Sequence, residues 1–193
     1  MSLVQKAAPD FKGTAVSGKD FREISLAGLK GKWAILFFYP LDFTFVCPTE
    51  IIDFSERVED FKKLNAEIIG CSVDSQYTHL AWINTPRKEG GLGEIRYPLL
   101  SDLSKQIAQN YGVLTGEGVA LRGLFIISPK GQIVYEVVHD LAVGRNPDEV
   151  LRVLAAFQQV ERTGEVCPSS WRPGAETMKA DPVGAREYFA GVK

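Results

Sequence analysis

The sequence predicts an α/β protein with a central mixed sheet flanked by helices and a C-terminal extension. Three observations carry this. Trp33-Ala34-Ile35-Leu36-Phe37-Phe38-Tyr39 is a continuous apolar and aromatic run, the pattern of a strand covered on both faces. Beyond it, apolar residues recur at Ile51, Phe54, Val58 and Phe61 with charges between them, one face of an amphipathic helix, and a second apolar run covers 67–73. Strand, helix and strand in that order make a crossover between parallel strands. Finally, the apolar runs 123–128 and 133–139 flank Pro129-Lys130-Gly131-Gln132, a hairpin signal that adds an antiparallel pair.

Each element follows from its local chemistry. Residues 11–15 and 21–24 read as short strands around the turn Ser17-Gly18-Lys19-Asp20. Pro40 ends the strand 33–39. The helix from about 48 to 64 takes Pro48 in its first turn, where a missing N–H costs nothing, and either Thr44 or Cys47 is its cap. After strand 67–73, Ser75 caps a helix running to Asn84. Residues 86–97 form a loop containing Gly90-Gly91-Leu92-Gly93; it is no phosphate cradle, because no strand leads directly into it and no helix starts from it. Residues 102–111 read as a helix closed by Gly112. Asn146-Pro147-Asp148-Glu149 opens the last main helix with a cap, an N1 proline and a capping-box glutamate, and Gly164 closes it. This organisation predicts one domain over 1–163 and an extension, rich in Pro, Gly and Ser, over 164–193.

Bulk properties exclude several classes. The 22 basic and 24 acidic residues nearly cancel, so neither a nucleic-acid surface nor polybasic membrane attachment is expected. The first nine residues lack the apolar core of a secretory signal, and no apolar run approaches the roughly 20 residues of a membrane helix. Three widely spaced cysteines and two histidines fit neither a secreted disulfide framework nor a zinc site. The expectation is a protein of a reducing, cytoplasmic compartment with a working thiol.

That thiol is Cys47. It falls where the buried strand gives way to the helix, in the first helical turn, where unpaired backbone N–H groups and the helix dipole favour a thiolate over a thiol. The competing reading is an inert core cysteine. Cys167 lies beyond the last predicted helix, in a loop near the chain end, free enough to approach another sulfur; the alternative is a lone exposed thiol. Cys71 lies inside the apolar run Ile68-Ile69-Gly70-Cys71-Ser72-Val73 and reads as a small buried hydrophobe.

The chain resembles a typical 2-Cys peroxiredoxin, a thiol peroxidase of the thioredoxin superfamily (the alkyl hydroperoxide reductase C and thioredoxin peroxidase group). Five separated motifs carry the likeness in the expected order: residues 38–50, His79-Leu80-Ala81-Trp82-Ile83-Asn84-Thr85-Pro86, Leu121-Arg122-Gly123-Leu124-Phe125-Ile126, Gly144-Arg145-Asn146, and Gly164-Glu165-Val166-Cys167-Pro168. The resemblance implies a thioredoxin-like fold, Cys47 as peroxidatic and Cys167 as resolving cysteine, catalytic roles for Pro40, Thr44 and Arg122, and a supporting ion pair of Glu50 with Arg145. It implies reduction of hydrogen peroxide and organic hydroperoxides through a sulfenic acid and an intersubunit disulfide, recycled by thioredoxin or a similar dithiol protein, with no metal and no bound organic cofactor. It further implies a homodimer, assembling into a ring of five dimers. A holdase chaperone or a peroxide-sensing relay is the alternative activity. Where thioredoxins carry Cys-x-x-Cys, this chain has Thr44-x-x-Cys47, so an oxidised Cys47 must find its second sulfur elsewhere.

Gly90-Gly91-Leu92-Gly93 and the tail pair Tyr188-Phe189 resemble the paired motifs of hyperoxidation-sensitive members, whereas Ala190-Gly191-Val192-Lys193 departs from the polar ending common in the family. Plainer readings exist for several residues: Thr44 as a helix cap, Arg122 and Arg145 as ordinary ion-pair residues, Trp82 and Trp171 as core or interface aromatics, His79 and His139 as structural or exposed. Ionisation alone cannot make a peroxidase. A free cysteine is about 3% thiolate at pH 7, so full ionisation gains at most about 30-fold. The remainder must come from groups that orient the peroxide and stabilise charge developing on its oxygens.

Overall fold

The computed structural model describes residues 2–191, so Val192 and Lys193 of the chain ending lie outside the described residues. Seven strands form one sheet: β1 (Lys12–Ser17), β2 (Asp20–Ser25), β3 (Trp33–Phe38), β4 (Ala66–Ser72), β5 (Leu99–Ser101), β6 (Arg122–Ile127) and β7 (Ile133–His139), in the order β2-β1-β5-β4-β3-β6-β7. The helices are α1 (Cys47–Glu56), α2 (Val58–Lys63), α3 (Gln76–Asn84), α4 (Gln106–Asn110), α5 (Pro147–Thr163) and α6 (Pro182–Gly191).

The sheet is mixed, as expected. β3 runs parallel to β4, joined by α1 and α2, and antiparallel to β6, which forms the expected hairpin with β7. Every residue of β3 is buried, which is why the strand shows a continuous apolar run rather than an alternation. One face packs Leu36, Phe38, Ile69, Cys71, Leu100, Tyr111 and Phe125 into a core cluster. Elsewhere in the core Phe37 stacks on Phe54 at 4.9 Å between ring centroids.

Several elements differ from expectation. The single helix over 48–64 is two, α1 and α2, broken at Arg57, whose φ of −93° and ψ of 1° leave the helical region. The apolar stripe Ile51, Phe54, Val58 and Phe61 stays buried across the break. Periodicity thus reports the buried face and not continuity of hydrogen bonding. The turn between β1 and β2 is tighter than expected, since Ser17 pairs with Asp20 and leaves only Gly18 (φ +63°) and Lys19 in the loop.

β5 was not expected; three residues are too few to display a period, yet they join β1 to β4. The helix expected over 102–111 shrinks to α4. Asp102 spends its carboxylate on the N–H groups of Ile107 (3.1 Å) and Ala108 (2.7 Å), so the preceding turn approaches the helix without belonging to it. α6 occupies a tail read only as an extension. Its signal was present: Asp181 accepts from the N–H groups of Val183 and Gly184, both at 2.9 Å, and Pro182 takes the first helical position.

The chain divides into two compact units, one ending at Pro147 and the other beginning at Asp148. The first holds the whole sheet and α1 to α4. The second holds the rest of α5, the tail segment and α6, and is pinned internally by a backbone bridge between Val166 and Met178 and by the Trp171 indole donating to the Ala175 carbonyl at 3.0 Å.

Candidate active site

Cys47 is the first residue of α1 and is fully shielded, at 0% exposure. Val46 is the cap residue, with no side-chain cap hydrogen bond, so neither Thr44 nor Cys47 caps the helix. Thr44 instead donates its hydroxyl to the Leu41 carbonyl at 2.9 Å, winding up the loop that leads from buried Pro40 to the helix. Its plainer reading as a helix cap is thereby corrected.

Topology brings Arg122 to this point. β6 is antiparallel to β3 with Leu124 opposite Phe37, so Arg122, at the start of β6, lies past the end of β3. Its guanidinium donates through Nη1 to Cys47 Sγ at 3.4 Å and to Glu50 Oε2 at 2.6 Å, and through Nε to the Leu141 carbonyl at 2.7 Å. Glu50 lies three residues after Cys47, on the same side of the first turn.

Arg145 grips Glu50 as well: its backbone N–H and its Nε both donate to Oε1 at 2.7 Å, and Nη2 donates to Oε2 at 3.0 Å. Nη1 donates to the Gly123 carbonyl at 2.6 Å, and the guanidinium carbon lies 5.3 Å from the centroid of the Phe37 ring, a cation–π contact. The implied pair of Glu50 with Arg145 is therefore half of a three-residue cluster. The hydrogen bond from Arg122 to Glu50 was not foreseen.

The electrostatics follow from counting. Glu50, Arg122 and Arg145 are 2%, 3% and 6% exposed, and two guanidinium groups against one carboxylate leave one positive charge in excess. That charge is presented to the sulfur in a place screened poorly by water. Tyr97 donates to the Ile51 carbonyl at 2.8 Å; burial, with the Glu50 charge nearby, pushes its phenol well above the usual range and keeps it a neutral donor. Among the described residues no group of three or more His, Cys, Asp and Glu side chains is placed to hold a metal ion, and no helix is long and apolar enough to cross a membrane.

The other two cysteines have different surroundings. Cys71 is buried in β4, and burial, followed by the Asp102 charge, pushes its thiol well up; it is the small hydrophobe expected. Cys167, in the second unit, is half-buried rather than exposed. Its Sγ is 3.6 Å from the Ala156 carbonyl, and it lines a cavity of about 430 Å³ with Arg152, Phe157, Val166 and Trp171. Burial raises this thiol against the opposing pull of Arg152.

Gly90-Gly91-Leu92-Gly93 folds back on the end of α3. The N–H groups of Leu92 and Gly93 donate to the Trp82 and Thr85 carbonyls, and the Trp82 indole donates to Gly90 at 2.8 Å. A Cβ on Gly91 would lie 1.9 Å from the Thr85 carbonyl oxygen, so only glycine fits there. The segment is a helix-end wrap with no helix following it, as expected. Tyr188 and Phe189 lie on α6 with their rings edge-on at 5.4 Å, and Phe189 is 63% exposed. Trp82 is a core residue, His79 is buried, and His139 is half-buried with Nδ1 3.2 Å from the Val143 carbonyl.

Comparison with known proteins agrees with this geometry. The AhpC/TSA family matches residues 4–136, and the C-terminal domain of 1-Cys peroxiredoxin matches residues 156–191. The chain is 58% identical over 188 residues to Peroxiredoxin-2 of Rattus norvegicus, covering 97% of this chain and 95% of that protein. It superposes on the reduced 2-Cys peroxiredoxin of Plasmodium vivax with a TM-score of 0.96 at 45% identity, covering 98% of this chain and all of that one. A thioredoxin peroxidase I of Plasmodium yoelii matches with a TM-score of 0.80 at 48% identity, covering 89% of this chain and 99% of that one. The buried helix-start cysteine facing Arg122, on a thioredoxin-like sheet, and the full-length likeness together make this chain a member of the AhpC/TSA family, of the 2-Cys peroxiredoxin type.

Proposed function

We propose that this protein is a thiol peroxidase in which Cys47 is the peroxidatic cysteine. The observation that carries the reading is the Cys47 sulfur, wholly buried at the start of α1, with the Arg122 guanidinium 3.4 Å away. The thiolate sulfur attacks one oxygen of hydrogen peroxide or an organic hydroperoxide. The O–O bond breaks, the second oxygen leaves as hydroxide or alkoxide and takes up a proton, and Cys47 becomes a sulfenic acid. Arg122 stabilises charge on the reacting oxygens, Thr44 orients the peroxide, Pro40 excludes water, and Glu50 with Arg145 fixes the Arg122 fork.

Condensation of the sulfenic acid with the Cys167 thiol of a second copy forms a disulfide and releases water. An external dithiol protein, thioredoxin or a near equivalent, then reduces the disulfide by exchange. The tail over 164–193 acts in this scheme as the part that delivers Cys167 to a domain over 1–163. Exposed apolar side chains on the loop before Cys47, Phe45 at 93% and Phe43 at 49%, support self-association, which we extend to dimers arranged in a ring of five and working in the cytoplasm. Gly90–Gly93 and the Tyr188-Phe189 pair would slow disulfide formation and expose Cys47 to a second oxidation.

The test is peroxide-dependent oxidation of NADPH through thioredoxin and its reductase. Turnover is expected, with a covalent dimer on a non-reducing gel after peroxide. No turnover with any dithiol reductant would overturn the peroxidase, and a purely monomeric gel pattern would overturn the intersubunit disulfide. A holdase would suppress client aggregation without turnover.

A further inference from the structure

Behind the loop that carries Pro40 and Thr44 lies a polar cluster that the peroxidase chemistry does not use. Asp42 is buried, and both of its carboxyl oxygens are engaged. The Tyr39 hydroxyl donates to Oδ1 at 2.9 Å, and His79 Nδ1 lies 2.7 Å from Oδ2. His79 Nε2 is 3.3 Å from the Leu100 carbonyl, which can only accept, so Nε2 carries a hydrogen. A single proton therefore lies between Nδ1 and Oδ2. The Asp42 backbone N–H donates to Asp74 Oδ2 at 2.8 Å, an oxygen that also accepts from Ser72 Oγ at 3.0 Å. Through this one residue the loop is tied to the end of β3, the end of β4, α3 and β5.

The next residue shows what the ties hold in place. Phe43 has φ +54°, a left-handed conformation that is costly for a residue with a bulky side chain. It persists only where the surroundings over-determine it. On one side are the Asp42 bonds; on the other the Phe43 ring packs at 5.6 Å on Trp82 and Thr44 turns back onto Leu41.

We infer that Asp42, held by Tyr39 and His79, is a positioning residue for peroxide reduction: it fixes the strained turn that aims Pro40 and Thr44 at the space beside Cys47. This rests on the peroxidase reading above. Asp42 touches neither sulfur nor peroxide, and its effect passes through the loop.

The experiment compares two rates on the full chain, oxidation of Cys47 by hydrogen peroxide and its alkylation by iodoacetamide, which needs a reactive sulfur but no oriented peroxide. Misplacement of an orienting group by about 1 Å can cost on the order of 10²-fold. Asp42→Ala is expected to slow oxidation by about that factor while alkylation stays near wild type. Asp42→Asn is expected to rescue most of the rate, because its Oδ1 still accepts from Tyr39 and its amide donates to the lone pair of His79 Nδ1. Oxidation unchanged in Asp42→Ala, oxidation and alkylation falling in equal proportion, or an asparagine no better than alanine would each overturn the assignment. If Asp42→Ala does not fold, Tyr39→Phe removes one tie and must show the same selective loss on a smaller scale; no selective loss there overturns it too. A wild-type chain oxidised no faster than free cysteine would overturn the peroxidase reading itself, and this inference with it.

Discussion

Cys47 and Cys71 are equally shielded from solvent, yet one opens a helix and the other lies within a strand. The surroundings of Cys71 are mostly carbon, Leu36, Phe38, Ile69 and Phe125 belonging to the same cluster, and the charge it meets is the negative one of Asp102; burial first and that charge second hold its thiol protonated. Cys47 faces a guanidinium that is itself locked by a carboxylate shared with a second arginine. Burial therefore does not separate the structural Cys71 from the Cys47 proposed above as the reacting thiol. What separates them is the charge the sulfur meets once water has been excluded, because excluding water strengthens whatever electrostatic partner is present.

The sharpest way to break this comparison is to remove each sulfur in turn. Cys47→Ser should abolish peroxide reduction, whereas Cys71→Ser should keep turning over; steady-state peroxide consumption checks both, and a Cys47→Ser protein that still turns over would reverse the assignment. Next in size is the guanidinium. Arg122→Met should slow Cys47 oxidation by about 10²–10³-fold, the usual cost of one oriented donor. Stopped-flow rates beside a thiol titration measure it, and a loss wholly accounted for by the ionised fraction would mean that Arg122 tunes the thiol and leaves the transition state alone.

The complementary effect on Cys71 is one of stability. A serine hydroxyl in its apolar cluster should cost about 1–3 kcal/mol, read from urea unfolding. An unchanged midpoint would show that the site is wetter than the structure implies. Smallest is the tail. Truncation before Tyr188 should leave the first oxidation of Cys47 intact, speed disulfide formation and lower the sulfinic acid formed at rising peroxide, as measured by mass spectrometry. Equal yields from full-length and truncated chains would remove Tyr188 and Phe189 from the account.

Much of this was legible along the chain. The buried strand 33–39, the cysteine at the strand-to-helix junction, the Ser75 cap and the hairpin over 123–139 each depend on neighbours within a few residues. The misses share a different origin. β5 is three residues long and exists only because β1 and β4 flank it. The break at Arg57 leaves the apolar stripe intact, so nothing in the period betrays it. α6 carried a legible cap in Asp181 and Pro182, but its surroundings read as loop.

By itself the sequence determined the α/β class, the place of Cys47 and the burial of Cys71, because side-chain period, caps and turn chemistry act locally. The resemblance implied the pairing of Glu50 with Arg145, 95 residues away, but only the tertiary structure decided that the same carboxylate also serves Arg122, 72 residues away. It likewise decided that Asp42 meets His79, which lies 37 residues on. Such pairings are set by strand register, as when β6 lies antiparallel to β3 and delivers Arg122 to the helix start, and register is a property of the assembled sheet rather than of any one segment.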